Sequence, residues 1–273
     1  MKSIKPTALF ILLSIVSIQA IWGQSLTPYK RKVDNGYNFW LYRPADTTET
    51  KPVVIFLHGA SLCGTDMNKV RRYGSIDAVE KGREIDAYIL APQNPGGSWN
   101  PEKIMRILEW VEANNNVDTT RVYVLGMSLG GYGTIDFTTT YPNKIAAAMA
   151  ICGGGTKNDY TPLLNVPLWI IHGTADRRVS VRESDRVVNA MRECEGGAPR
   201  LHYDRIEGMN HSRPARIFYM TECYEWLFKH SLNDEGRPVA PKYEISESTL
   251  NSRNVYRGTS TRKREGLIRE PEE

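Results

Sequence analysis

Ser128 sits in Gly126-Met127-Ser128-Leu129-Gly130, with a glycine two residues to either side. A serine hydroxyl is a weak nucleophile. It becomes a useful one when an imidazole takes its proton and a carboxylate holds that imidazole in place. The chain offers candidates for both partners: His172, His202, His211 and His230 follow Ser128, with aspartates among them. Such a set attacks a carbonyl carbon and carries the acyl group on the serine.

The surroundings of Ser128 suit that task. The apolar run Val122-Tyr123-Val124-Leu125 leads into it, and Leu129, Tyr132, Ile135 and Phe137 leave it at helical spacing until Tyr141-Pro142. A tight strand-turn-helix of this kind holds a serine in a strained backbone conformation and projects its hydroxyl from the sheet. Side chains at 126 and 130 would collide with the neighbouring strand and helix, so both positions call for glycine. Gly131 and Gly133 let the helix pack closely on the sheet.

On such an elbow the acid and then the histidine follow the serine along the chain. His211 lies in Glu207-Gly208-Met209-Asn210-His211, a turn-rich loop after the last expected strand, and is the expected base. His202 falls inside that strand. His230 is expected at a helix end on the surface, favoured there by the helix dipole. His172-Gly173 ends a strand much as His58-Gly59 does, and is expected to shape a turn. Asp176, in Gly173-Thr174-Ala175-Asp176, is the expected acid. Asp159 is its rival after a longer loop, and Asp185 and Asp204 lie within elements.

Attack on a carbonyl also needs N–H donors where negative charge develops. One is the backbone N–H of Leu129, directly after the serine. The other comes from the loop after Val53–Leu57, where the N–H of Ala60 is expected and that of Ser61 is the alternative. His58 precedes the serine and is read as a structural residue of that loop. Trp99, in the loop 92–100, either stacks on substrate or caps the following helix.

These residues must be carried by a common frame. Short apolar runs at Val53–Leu57, Tyr88–Ala91, Val122–Leu125, Ala146–Ile151 and Leu168–Ile171 read as buried strands, with Leu201, Tyr203 and Ile206 in a last one. Helical stripes lie between and after them, at Ile104, Ile107, Leu108 and Val111 behind Pro101, and at Ile217, Met220, Tyr224, Leu227 and Phe228 behind Arg213-Pro214. That alternation predicts an α/β fold with a mostly parallel central sheet and helices on both faces. Asp34-Asn35-Gly36, within 30–43, predicts an antiparallel N-terminal hairpin.

The catalytic domain is expected over 24–232. Residues 1–23 read as an export signal: Lys2 and Lys5, the apolar run Ala8–Val16, then small residues at Ala20 and Gly23. The expected location is therefore secreted or periplasmic, with no stable membrane insertion once the signal is cleaved. From Asn233 to Glu273 the chain is polar and interrupted by Pro238 and Pro241, which predicts a flexible tail. A net charge of +4 over 273 residues is too small to argue for nucleic acid or an anionic membrane as partner. The four cysteines, Cys63, Cys152, Cys194 and Cys223, show no zinc-ligand spacing, and their pairing is open among three arrangements.

Taken together, Leu57-His58-Gly59, the Ser128 motif, His172 to Asp176 with Val179, and Gly208 to His211 resemble the blocks of α/β-hydrolases. The likeness covers about residues 30 to 230 and is to the dienelactone hydrolase, carboxylesterase/phospholipase and prolyl-oligopeptidase-like branches. It implies a Ser128–Asp176–His211 triad, an acyl-enzyme and neither metal nor organic cofactor. Dienelactone hydrolase uses cysteine where this chain has Ser128, and the chain has no room for the propeller of prolyl oligopeptidases. An ester on a small molecule or oligosaccharide is the expected substrate, acetyl and feruloyl groups included. A peptidase, a phospholipase and a non-catalytic binding module are the alternatives.

Overall fold

The computed structural model describes residues 23–271. Eight strands form one sheet: β1 (Ser25–Tyr29), β2 (Asn38–Arg43), β3 (Lys51–Leu57), β4 (Tyr88–Gln93), β5 (Val117–Met127), β6 (Ala147–Ile151), β7 (Leu168–Gly173) and β8 (Leu201–Ile206). Their spatial order is β1-β2-β4-β3-β5-β6-β7-β8. β1 and β2 pair antiparallel, as do β2 and β4. Every pairing from β4 through β3 to β8 is parallel. The α/β expectation and the N-terminal hairpin both hold. In the turn between β1 and β2, Asn35 has φ +57°, a conformation asparagine tolerates. β1 begins earlier than the turn signal alone suggested.

The parallel strands are apolar on both faces because both faces are covered. Val53, Ile55 and Leu57 pack into one layer with Ile104, Ile107, Leu108 and Val111. Val54 and Phe56 pack into the other with Ile76, Phe218 and Leu227. Each of these side chains is fully buried, contributing about 1.5–3 kcal/mol apiece. The helices are α1 (Ser75–Glu80), α2 (Pro101–Asn114), α3 (Leu129–Thr140), α4 (Arg182–Arg192), α5 (Thr221–Phe228) and α6 (Glu247–Asn251). Asn100 caps α2, its side chain accepting from the N–H of Lys103, with Pro101 in the first turn.

Two expectations need correction. The stripe behind Pro214 is two elements, a 3-10 helix (Arg213–Tyr219) and α5, separated where Met220 turns extended at ψ 133°. His230 is 2% exposed and buried against Trp226; its Nε2 accepts from the N–H of Ala240, so it is a core residue, not a surface one. In the polar segment after Asn233, Leu250, Val255 and Leu267 seat in the core. Leu267 and Arg269 exchange backbone hydrogen bonds with Leu26 of β1, and Lys263 binds the buried carboxylates of Glu80 and Asp77. Isolated apolar residues without periodicity conceal such docking.

The expected export signal lies almost wholly outside the described residues. Among the described residues no helix is long and apolar enough to cross a membrane. All four cysteines are unpaired.

Candidate active site

The C-terminal ends of β3, β5, β7 and β8 deliver the chemistry to one edge of the sheet, where parallel α/β sheets carry their sites. β5 ends at Met127, and Ser128 follows with φ +60° and ψ −120°, a conformation sparsely allowed to any residue but glycine. Its N–H is held by the carbonyl of Ile151 at 2.8 Å. A Cβ on Gly130 would overlap the backbone oxygen of Leu57, and one on Gly126 the backbone of Gly130 itself. The turn therefore exists only with glycine at both positions, as the motif predicted.

β7 leads to Asp176 and β8 to His211. The imidazole Nδ1 of His211 lies 2.6 Å from Asp176 Oδ2. The other carboxylate oxygen, Oδ1, accepts from the N–H of Arg178 at 2.8 Å and of Val179 at 2.9 Å. Burial pushes the Asp176 carboxyl up, but hydrogen bonds from His211 and the two backbone amides outweigh it and hold the pKa below the usual carboxylate value. Asp176 is thus an ionised acceptor, and His211 must carry its proton on Nδ1 to donate. That leaves Nε2 as the basic nitrogen.

Ser128, His211, Ala60, Ser61 and Leu129 all line a single cavity of about 1150 Å³. Asp176 stands behind it, buried. The Ser128 hydroxyl makes no hydrogen bond to His211 in this structure. Leu129 opens α3 and Ala60 opens a 3-10 helix (Ala60–Leu62), so neither N–H has an acceptor within its own helix. The Gly59 turn that presents Ala60 is held by Tyr73, whose hydroxyl accepts from the N–H of Gly59 at 2.9 Å.

His58 has the structural role expected of it. Its Nε2 accepts from the N–H of Asn94 and its Nδ1 lies 2.9 Å from the carbonyl of Gly59, while burial lowers its pKa to about 4. Trp99 does not line the cavity. It is 4% exposed, stands edge-on to His58 and Tyr37, and donates from Nε1 to the carbonyl of His58. Its reading as a substrate platform is corrected: the loop turns the indole inward against Gly133.

His172 does more than shape a turn. The ring is fully buried, with Nε2 3.2 Å from Asp176 Oδ2 and 3.0 Å from the carbonyl of Val179. Two acceptors on that side require the proton on Nε2, and Nδ1 then faces the Ser184 hydroxyl at 2.7 Å. Burial keeps the ring's pKa below the ordinary histidine value. Asp176 Oδ2 is therefore shared between two imidazoles. The spacing of His172 and Asp176 at a strand end was the available signal.

Cys152, Asp176 and His211 also bring a sulfur, a carboxylate oxygen and an imidazole nitrogen within 4.8 Å of one another. A metal would need the thiolate. Burial and the adjacent Asp176 raise the Cys152 thiol well above its usual value, and both Asp176 oxygens are already occupied. The donor set fits a hydrogen-bonded acid–base pair and does not fit a metal.

Comparison with solved structures bears on the frame around this site. The chain is similar to a thermostable esterase, at 26% identity and a TM-score of 0.61, covering 77% of this chain and 64% of that one. The chain has the α/β-hydrolase fold. A feruloyl esterase module from Clostridium thermocellum, a mutant complexed with sinapinate, shares the hydrolase fold at 13% identity and a TM-score of 0.53, over 70% of this chain and 83% of that one. No family model matches. Among curated proteins, the bifunctional acetylxylan esterase/xylanase XynS20E of Neocallimastix patriciarum is 24% identical over 236 residues, which is 80% of this chain and 33% of that protein. Acetylxylan esterase A of Emericella nidulans is 28% identical over 133 residues, 44% of each chain. Poly(3-hydroxyalkanoate) depolymerase C of Paucimonas lemoignei is 24% identical over 174 residues, 56% of this chain and 41% of that protein. The chain thus spans between 33% and 44% of the length of the curated relatives it matches.

Proposed function

We propose that this chain is a carboxylic ester hydrolase that works through a serine acyl-enzyme, acting on acyl groups of polysaccharide. The observation that carries this reading is the 2.6 Å His211–Asp176 hydrogen bond beside a cavity that Ser128 enters from a strained turn. In the reaction, Ser128 Oγ attacks the ester carbonyl carbon while His211 Nε2 takes the hydroxyl proton. Asp176 stabilises the imidazolium through Nδ1–H. The N–H groups of Leu129 and Ala60 receive the oxyanion, each such donor being worth about 2.7–4 kcal/mol in the transition state. Collapse breaks the C–O bond to the alcohol, which leaves with the proton from His211. Water, activated by the same imidazole, then releases the acid and restores Ser128. Catalytic hydrogen bonds are often open without substrate, and the Ser128–His211 contact is the one that closes on binding.

The names of the relatives support an acetyl or feruloyl ester of polysaccharide, and the cavity is large enough for a sugar alongside the acyl group. Export as a secreted or periplasmic enzyme is part of the same proposal and rests on residues 1–23. The test is a panel on purified protein of nitrophenyl acyl esters, acetylated and feruloylated xylo-oligosaccharides, and an aminoacyl amide. Hydrolysis of the esters, lost in Ser128→Ala, is expected. Faster cleavage of the amide than of every ester would replace the esterase reading with a peptidase one.

A further inference from the structure

The cavity wall beside Ser128 is cationic. Arg177 and Arg178 both line it, directly after Asp176, and no aspartate or glutamate does. Both arginines are exposed, and among the described residues neither guanidinium takes part in an ion pair or a side-chain hydrogen bond. The nearby carboxylates are already engaged. Asp176 is fully buried at its side chain, and its oxygens are taken by His211 and by the backbone N–H groups of Arg178 and Val179. Glu183, whose carboxylate is next to the hydroxyl of the cavity residue Tyr132, pairs with Arg186 at 3.7 Å.

The positions of the two arginines are not left to a loose loop. Asp176 Oδ1 fixes the backbone at Arg178 and Val179, while His172 Nε2–H binds the carbonyl of Val179 from the buried side. The backbone carrying both guanidinium groups is thus tied to the acid of the site. A cleft lined by one sign of charge focuses its field and concentrates ligands of the other sign. Guanidinium groups also match carboxylates in a two-point geometry that ammonium groups do not reproduce.

We infer that Arg177 and Arg178 form a carboxylate-binding subsite, so that the preferred substrate is an ester bearing a carboxylate near the scissile bond. This rests on the esterase reading of the same cavity. The carboxylate could belong to the alcohol side, as a uronic acid neighbouring an acylated sugar, or to the acyl side, as a dicarboxylic half-ester. Two matched pairs of substrates separate these sources: acetylated xylo-oligosaccharide with and without a uronic acid substituent, and nitrophenyl butyrate against the nitrophenyl half-ester of succinate.

For the pair that carries the true source, kcat/KM on the anionic ester is expected to exceed that on its neutral counterpart by about tenfold at low salt. That advantage should shrink toward parity at about 0.5 M salt, where screening acts over only a few ångströms. Arg177→Gln with Arg178→Gln should remove the preference, and the corresponding double lysine variant should retain part of it. Equal rates on both members of each pair in the unmodified protein, indifferent to salt, would overturn the inference while ester hydrolysis dependent on Ser128 continued. Calorimetry on Ser128→Ala protein with the uronic acid oligosaccharide reads the subsite without turnover. Salt-sensitive binding that the double glutamine change abolishes supports the subsite even if Ser128 proves dispensable, and failure of both that oligosaccharide and the succinate half-ester to bind, beside preserved binding of the neutral oligosaccharide, refutes it.

Discussion

Replacing Asp176 with asparagine changes one atom and should disable the site through proton bookkeeping alone. Oδ1 faces two N–H donors, Arg178 at 2.8 Å and Val179 at 2.9 Å, so the new carbonyl oxygen must take that place. The new NH2 then occupies the position of Oδ2, 2.6 Å from His211 Nδ1 and 3.2 Å from His172 Nε2. To accept from it, His211 must give up its Nδ1 proton and carry one on Nε2, the nitrogen that should receive the proton of Ser128. The base is then present in the wrong tautomer. Such an error in a serine–histidine–aspartate site lowers kcat by about 10⁴, which is about 5.4 kcal/mol at 1.36 kcal/mol per tenfold. His172 meets a second conflict. Its Nε2 cannot serve both the NH2 and the carbonyl of Val179, and one buried group left unpaired costs about 1–3 kcal/mol of stability. Steady-state kinetics on nitrophenyl acetate and urea unfolding measure the two losses. A folded Asp176→Asn protein with kcat within about tenfold of the unmodified protein would refute the reasoning.

His172→Leu removes the second donor to Asp176 and empties the contacts to Ser184 and Val179; a loss of about 1–3 kcal/mol in urea unfolding is expected, with kcat falling more than KM rises, and unchanged stability would show the ring is not held as described. Gly130→Ala would push a methyl group into the backbone of Leu57; ester turnover should collapse in any soluble protein recovered, and normal kcat would mean the elbow is not as tight as drawn. Stability should also fall with acid. The unfolded His58 titrates near 6.5 and the folded one near 4, so the unfolded chain binds more protons between those values. His58 thus contributes stability in full above pH about 6.5 that is lost as pH falls to about 4, about 3 kcal/mol in all. Urea midpoints across that range measure it, and a His58→Gln protein with the same slope would contradict the assignment.

Much of the site was legible because its demands are local. The glycines around Ser128 serve backbone contacts within a few residues, and the strand and helix that create those contacts are written directly beside them. His211 could be chosen because its loop is rich in turn residues, while His172 and His202 fall in strands and His230 follows the end of a helix. Trp99 was not legible for the opposite reason. A tryptophan in a loop carries no periodicity to say which way its ring points, and packing against His58 and Tyr37 decides that in three dimensions. His230 was misplaced because a lone polar residue at a helix end gives no sign of the backbone N–H of Ala240 that satisfies it. The docked segment after Asn233 relies on a few apolar anchors and on charge pairs to Asp77 and Glu80, contacts separated by more than 180 residues along the chain. In the sequence Arg177 and Arg178 are two basic residues of a loop, with no spacing or motif that ties them to a site. Only the cavity shows that they share a wall with the serine.

The central claim is that Ser128 carries the acyl group, and covalent labelling tests it most directly. An organophosphonate that reports on activated serines should modify the protein once, with peptide mass analysis placing the adduct on Ser128 and esterase activity lost in step with labelling. Ser128→Ala protein should remain unlabelled. An adduct on another residue, or equal labelling of the Ser128→Ala protein, would contradict the account.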